Sequence, residues 1–143
     1  MVTAPPLPSG LVAFVKRDCE TCQLVDPILG QIAKDEPLTV YTQDDLSFPG
    51  SLTALDDLSL EMSWHHKIET VPTLIRVGAN GLEQERIVGW SREQWQAFSG
   101  NPELGITLPG FRPGCGSLSV DPSRSDELNA RMGGSGLATR RVE

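Results

Sequence analysis

Five consecutive apolar residues, Leu11-Val12-Ala13-Phe14-Val15, lead into two closely spaced cysteines, Cys19-Glu20-Thr21-Cys22, which open a stretch of helical periodicity. An unbroken apolar run this short is the pattern of a central strand buried on both faces. After Cys19, apolar residues at Leu24, Val25, Ile28, Leu29, Ile32 and Ala33 recur at helical spacing up to Lys34-Asp35-Glu36-Pro37. A helix is therefore expected over about 20–34, with the cysteine pair in its first turn. Leu38-Thr39-Val40-Tyr41-Thr42, short and rich in β-branched residues, follows as a second strand. It should lie parallel to the first, closing a right-handed βαβ unit.

Further along, Leu52, Leu55, Leu58, Leu60, Met62 and Trp64 suggest a second helical region over 50–66. Residues 73–77 and 83–89 read as strands around Gly78-Ala79-Asn80-Gly81, a hairpin turn. Ser91 is the natural N-cap of a last helix, with Gln94 completing a capping box and Trp95 and Phe98 facing inward. The order β-α-β-α-β-β-α ends near Gly100 and implies an α/β fold, a central mixed sheet of about four strands flanked by helices. Before it, residues 1–9 form a stiff Pro-rich leader with Pro5, Pro6 and Pro8; the domain itself spans 10–100. In 101–143 Gly and Pro account for 11 of 43 residues and no periodicity survives beyond a short helix around 126–132. That composition reads as an irregular extension wrapped on the domain, or as a mobile tail or linker.

The net charge of −7 argues against non-specific nucleic-acid binding, which needs clustered Lys and Arg. No apolar run approaches the ~20 residues of a membrane span, so a soluble protein, taken as a monomer, is expected. The start of the chain lacks the basic and apolar regions of a secretory signal, which makes a cytoplasmic location the default. Proteins or small thiols are the expected partners.

Three cysteines cannot all pair within one chain, and two residues of separation is the wrong layout for a structural framework. At a helix N-terminus the pair has a direct use, because free backbone N–H groups and the helix dipole stabilise a thiolate. Cys19 would attack a disulfide and Cys22, one turn on, would attack the resulting mixed disulfide. The alternative from spacing alone is half of a zinc site, completed by His65, His66 or Cys115. A redox dithiol beside a βαβ pattern is the stronger expectation. His65 and His66 otherwise read as solvated or partly packed imidazoles.

Cys22 to Ala33, with Pro27 five residues after the second cysteine, resembles the active-site helix of the thioredoxin family, in which that proline kinks the helix. Thr70-Val71-Pro72-Thr73-Leu74 is similar to the family's cis-proline loop, and Gly89 matches a glycine after the hairpin. The likeness covers about residues 10–100 and implies the thioredoxin fold. It also implies that Thr70, Val71 and Pro72 form the substrate-binding loop, with Val71 offering its backbone to a peptide, and that Pro72 is cis. In that fold the proline ring covers the dithiol and blocks a metal, so no metal and no dissociable cofactor is expected.

Departures from the family are specific. Asp18, Glu20 and Thr21 replace the usual Trp and Gly-Pro around the first cysteine, and two carboxylates beside Cys19 should raise its pKa, partly offset by Lys16 and Arg17. A mainly reducing dithiol with a modestly acidic Cys19 follows. Ala13 and Thr42 stand where the family buries an Asp-Lys pair, leaving Glu20 or water to move the proton of Cys22. Cys115, between Gly114 and Gly116, has no family counterpart and reads either as a third redox thiol, trading disulfides with Cys19 or with a partner protein, or as an unreactive cysteine. The leading expectation is an enzyme that reduces protein disulfides on restricted partners, with electrons from a reductase or small thiol. A redox-sensitive interaction module is the second reading and a zinc site the third.

Overall fold

A computed structural model describes residues 5–131 of the chain. The first four residues of the leader, together with Met132 and the extension beyond it to Glu143, lie outside the described residues. The architecture is α/β, a five-stranded mixed sheet flanked by helices.

β1 (Gly10–Val15) is the centre of the sheet, and Leu11 to Val15 are fully buried, as an apolar run without alternation demands. α1 (Glu20–Asp35) follows and turns Thr21, Cys22, Val25, Ile28, Leu29 and Ile32 inward. It runs through Pro27, whose missing N–H costs one bond to the carbonyl of Gln23. β2 (Leu38–Thr42) pairs parallel with β1, Ala13 opposite Val40.

The helical region expected over 50–66 is largely absent. The chain forms an edge strand β3 (Leu55–Asp56), parallel to β2, and then one helical turn, α2 (Glu61–His65). Two sets of hydrogen bonds explain this. The Asp26 carboxylate on α1 accepts from the N–H groups of Gly50 and Ser51, each at 3.0 Å, which draws that backbone to α1. Asp57 accepts from the N–H groups of Met62 and Ser63, both at 2.9 Å, so it caps α2 and delays the helix until Glu61. The apolar spacing misled because Leu55 and Leu58 are exposed rather than packed.

β4 (Thr70–Val71) leads through the cis Val71–Pro72 bond into β5 (Thr73–Val77), antiparallel to β1. Phe48–Pro49 is also cis. β6 (Glu83–Val88) completes the hairpin, giving the sheet order β3-β2-β1-β5-β6, one strand more than expected. Gly89 then separates β6 from a short β7 (Trp90–Ser91), which runs directly into α3 (Arg92–Ser99), where Ser91 Oγ accepts from the N–H of Gln94 at 3.3 Å. Trp95 and Phe98 are buried, as expected.

Up to Arg131 the extension packs on the domain. β8 (Phe111–Arg112) pairs antiparallel with β7 and β9 (Cys115–Gly116) pairs antiparallel with β4. A 3₁₀ turn (Leu118–Val120) and α4 (Pro122–Arg131) follow, the helix starting earlier than periodicity implies. Leu104 joins the main core, and Leu128 packs with Leu60 and Trp64 in a second cluster. Burying each such leucine contributes about 1.5–3 kcal/mol, which is why low periodicity did not mean a loose tail. The leader is anchored as well: Leu7 is buried, and the carbonyl of Pro5 lies 2.6 Å from Nε2 of His66. Among the described residues no helix is long and apolar enough to cross a membrane.

A buried polar network fastens the extension. Nε2 of Gln43, just after β2, donates to Ser63 Oγ and to Ser117 Oγ, each at 2.8 Å, while its Oε1 accepts from the N–H of Leu118 at 3.0 Å. Ser63 Oγ donates onward to Asp57 at 2.6 Å, and burial pushes that carboxyl above its ordinary range. Gln43→Ala takes one bond from each of Ser63 and Ser117 and leaves the N–H of Leu118 without its partner, and is expected to cost about 1–3 kcal/mol in urea denaturation. A loss under about 0.5 kcal/mol, the range of an ordinary surface change, would mean that the network does not hold the extension.

Candidate active site

Cys19 is the N-cap of α1. Its backbone is extended (φ −163°, ψ 114°), and its sulfur accepts from the N–H of Cys22 at 3.3 Å. An N-terminal turn has N–H groups without helical partners, and a sulfur placed there takes one of them. Cys22 lies one turn on, fully buried; Cys19 is 4% exposed. When protonated, Cys19 donates to the carbonyl of Val71 at 3.6 Å, which puts the cis-proline loop directly against the dithiol.

The two thiols are driven apart. Cys19 is held down to about 6, first by the hydrogen bond from the Cys22 thiol, then by the Cys115 thiol and the N–H groups of Cys22 and Thr21, with burial opposing. Cys22 is pushed up strongly, chiefly by burial and then by its neighbour Cys19. Cys115 is also raised, by burial and by Cys19.

Of the four tuning residues, none acts as the local charges suggested. Glu20 is exposed on the rim, and the largest influences on Cys19 are the neighbouring thiols, burial and backbone N–H groups. Arg17 turns away to pair with Asp45 at 2.7 Å, and its N–H is held by Asp44 at 2.6 Å. Lys16 acts elsewhere, its backbone on Cys22 and its charge on Cys115. Thr21 has a structural role: its Oγ1 donates to the carbonyl of Pro113 at 2.6 Å. Hydrogen bonding within the thiol cluster outweighs the flanking carboxylates, so Cys19 is more acidic than expected. Thiolate absorbance should accordingly rise as pH climbs through about 6 and vanish in Cys19→Ser. An inflection near 8.5, the value of a free thiol, would show that the cap and the thiol contacts do not stabilise the anion.

Ala13, opposite Val40, and Thr42, opposite Val15, are uncharged, fully buried residues two pairs apart along the β1–β2 ladder, Thr42 bonding by Oγ1 to the carbonyl of Asp45 at 2.9 Å. His65 is buried in α2 and His66 is tied to Pro5, so the histidines lie outside the dithiol's contacts. Among the described residues no group of three or more His, Cys, Asp or Glu side chains is arranged to hold a metal ion.

Cys19 is among the partners the sequence offers for Cys115, and strand pairing supplies the position that spacing along the chain does not. β9 places it opposite Val71, beside Cys19, and a cleft of about 410 Å³ opens there, lined by Cys19, Glu20, Thr21, Pro113 and Cys115 among others. The sequence did hold a signal, since glycines on both sides of a strand residue mark close backbone approach as readily as mobility. The chain matches no protein-family model, no curated protein and no solved structure, so the reading of this site rests on its own residues and geometry.

Proposed function

We propose that this chain is a thiol-disulfide oxidoreductase of thioredoxin-like fold, with Cys19 as nucleophile and Cys22 as resolving thiol. The observation that carries the reading is the split between the two sulfurs. Cys19 caps a helix as a thiolate at neutral pH, and Cys22 waits protonated one turn below it. Cys19 attacks a substrate disulfide, one sulfur of which leaves as a thiol. In the mixed disulfide Cys19 carries no charge, which removes part of what held Cys22 protonated, and Cys22 then displaces the second substrate sulfur. The carbonyl of Val71, just before the cis bond to Pro72, stands against Cys19, and this loop is the substrate-docking element of the reading.

Direction follows from the same split. A mostly ionised Cys19 stabilises the reduced dithiol by roughly tenfold at pH 7, which moves the potential about 30 mV toward the oxidising side. That offset leaves net reduction of protein disulfides as the favoured direction, with a reductase or a small thiol as electron source. The test is insulin-disulfide reduction with dithiothreitol, together with the Cys19–Cys22 potential against glutathione. Turnover above background and a potential of about −270 to −230 mV support the reading; a value near −120 mV reverses the direction.

One observation favours a second reading, a redox-sensitive interaction module. Cys19 is almost wholly buried, and Pro113 and Cys115 of the same chain line the cleft beside it, which restricts general access. Absence of insulin turnover, with the dithiol still oxidising reversibly, would favour it.

A further inference from the structure

A third sulfur sits at this site that the exchange cycle above does not use. Cys115 opens β9, and β9 lies antiparallel on β4 with Val71 opposite Cys115 and Thr70 opposite Gly116. The segment is held at both ends. Trp90 and Ser91 pair with Arg112 and Phe111 before it, and the N–H of Ser117 donates to the carbonyl of Glu69 at 3.0 Å after it. In the middle Thr21, between the two cysteines, bonds the carbonyl of Pro113. Gly114 makes the approach possible: a Cβ there would stand 2.6 Å from the carbonyl oxygen of Val71 and 2.5 Å from Cγ2 of Thr70. The strand edge beside the dithiol is thus occupied by a peptide of the chain itself, and that peptide carries a thiol that lines the same cleft as Cys19, opposite the Val71 whose carbonyl Cys19 meets.

We propose that Cys115 is a third exchange thiol, and that the oxidised site interconverts between a Cys19–Cys22 and a Cys19–Cys115 disulfide. The inference rests on the dithiol reading and extends it. Cys115, as thiolate, attacks Sγ of Cys19 in the Cys19–Cys22 disulfide. The Cys19–Cys115 bond forms, the bond to Cys22 breaks, and Cys22 leaves as a thiolate that takes up the proton Cys115 lost. This step consumes no oxidant. Forming either disulfide from the reduced chain releases two electrons, which reduce a small disulfide such as oxidised glutathione to two thiols. Both partners reach Cys19 from fixed elements, Cys22 from α1 and Cys115 from β9, so the exchange is intramolecular between groups held at one cleft. In the Cys19–Cys115 form the strand is tied down, and the edge of β4 is withheld from any incoming strand.

The test titrates the full-length wild type, Cys22→Ser and Cys115→Ser with glutathione mixtures, blocks free thiols by alkylation, and maps tryptic peptides. Cys22→Ser should lose two thiols per chain and yield residues 18–34 covalently joined to residues 93–124. Wild type should give that cross-link as a fraction beside the internal Cys19–Cys22 peptide, and Cys115→Ser only the internal one. Gly114→Ala, which keeps all three sulfurs, should lower the cross-linked fraction severalfold. Because Cys22 is in the core, Cys22→Ala is run in parallel and circular dichroism checks that each variant folds. A glutathione adduct on Cys19 in place of the cross-link, or no cross-link in wild type at any mixture, overturns the proposal while Cys115→Ser still forms Cys19–Cys22. Failure of Cys115→Ser to form that disulfide overturns the dithiol reading and the proposal together.

Discussion

Cys19→Ser is expected to abolish insulin-disulfide reduction, a loss of at least about 10³-fold, to the background set by the thiol reductant. The size follows from chemistry rather than folding. A serine hydroxyl at this N-cap can still accept the N–H of Cys22, as Cys19 does at 3.3 Å, so α1 keeps its start. It cannot ionise near neutral pH, whereas Cys19 is held at about 6. It cannot form a mixed disulfide at all. Circular dichroism should therefore be unchanged while turnover is lost. The Cys22→Ser/Cys115→Ser double variant should behave differently, completing one attack and accumulating the mixed disulfide, because both thiols beside Cys19 are gone. Appreciable turnover by Cys19→Ser would remove Cys19 from the nucleophile's role.

Trp90→Ala should produce the largest loss of stability, about 3–5 kcal/mol. Trp90 is fully buried on β7, its ring centroid 5.3 Å from that of Trp95, and its Nε1 donates to the carbonyl of Pro109 at 2.7 Å. Gly105 lies so close that a Cβ there would stand 2.5 Å from the ring, so the indole fills its pocket completely. Alanine removes the transfer energy of the ring, leaves a cavity between α3 and the extension, and orphans the Pro109 carbonyl. Against a typical total of about 5–15 kcal/mol this is at least about a fifth of the stability, a fall in Tm of roughly 10–20 °C. Urea denaturation followed by circular dichroism measures it. A change under about 1 kcal/mol would show that residues 101–112 are not integral to the domain. Because β8 pairs with β7, the variant should also loosen the strand that carries Cys115.

The parts of the fold that were legible in advance are those decided between near neighbours in the chain. The apolar run of β1, the inward stripe of α1, the hairpin around 78–81 and the Ser91 cap each depend on spacing or on contacts a few residues apart. The dithiol belongs to this class, since Cys19 and Cys22 meet through one helical turn. Residues 50–60 did not, because their apolar spacing mimicked a helix while Asp26 and Asp57, distant in sequence or turned inward, captured the backbone N–H groups.

By itself the sequence determined a βαβ unit with a thiolate-stabilising helix start, a hairpin and a capped final helix. Tertiary structure alone decided how acidic Cys19 is and what stands beside it. The acidity comes from thiols gathered out of two elements, not from the adjoining carboxylates that a linear reading weighs. Cys115 reaches Cys19 across more than ninety residues, because strand pairing satisfies backbone groups wherever an edge is open and Gly114 lets the chains close. A glycine's missing side chain has meaning only against the atom it would have struck, and that atom, the carbonyl oxygen of Val71, is supplied by the fold.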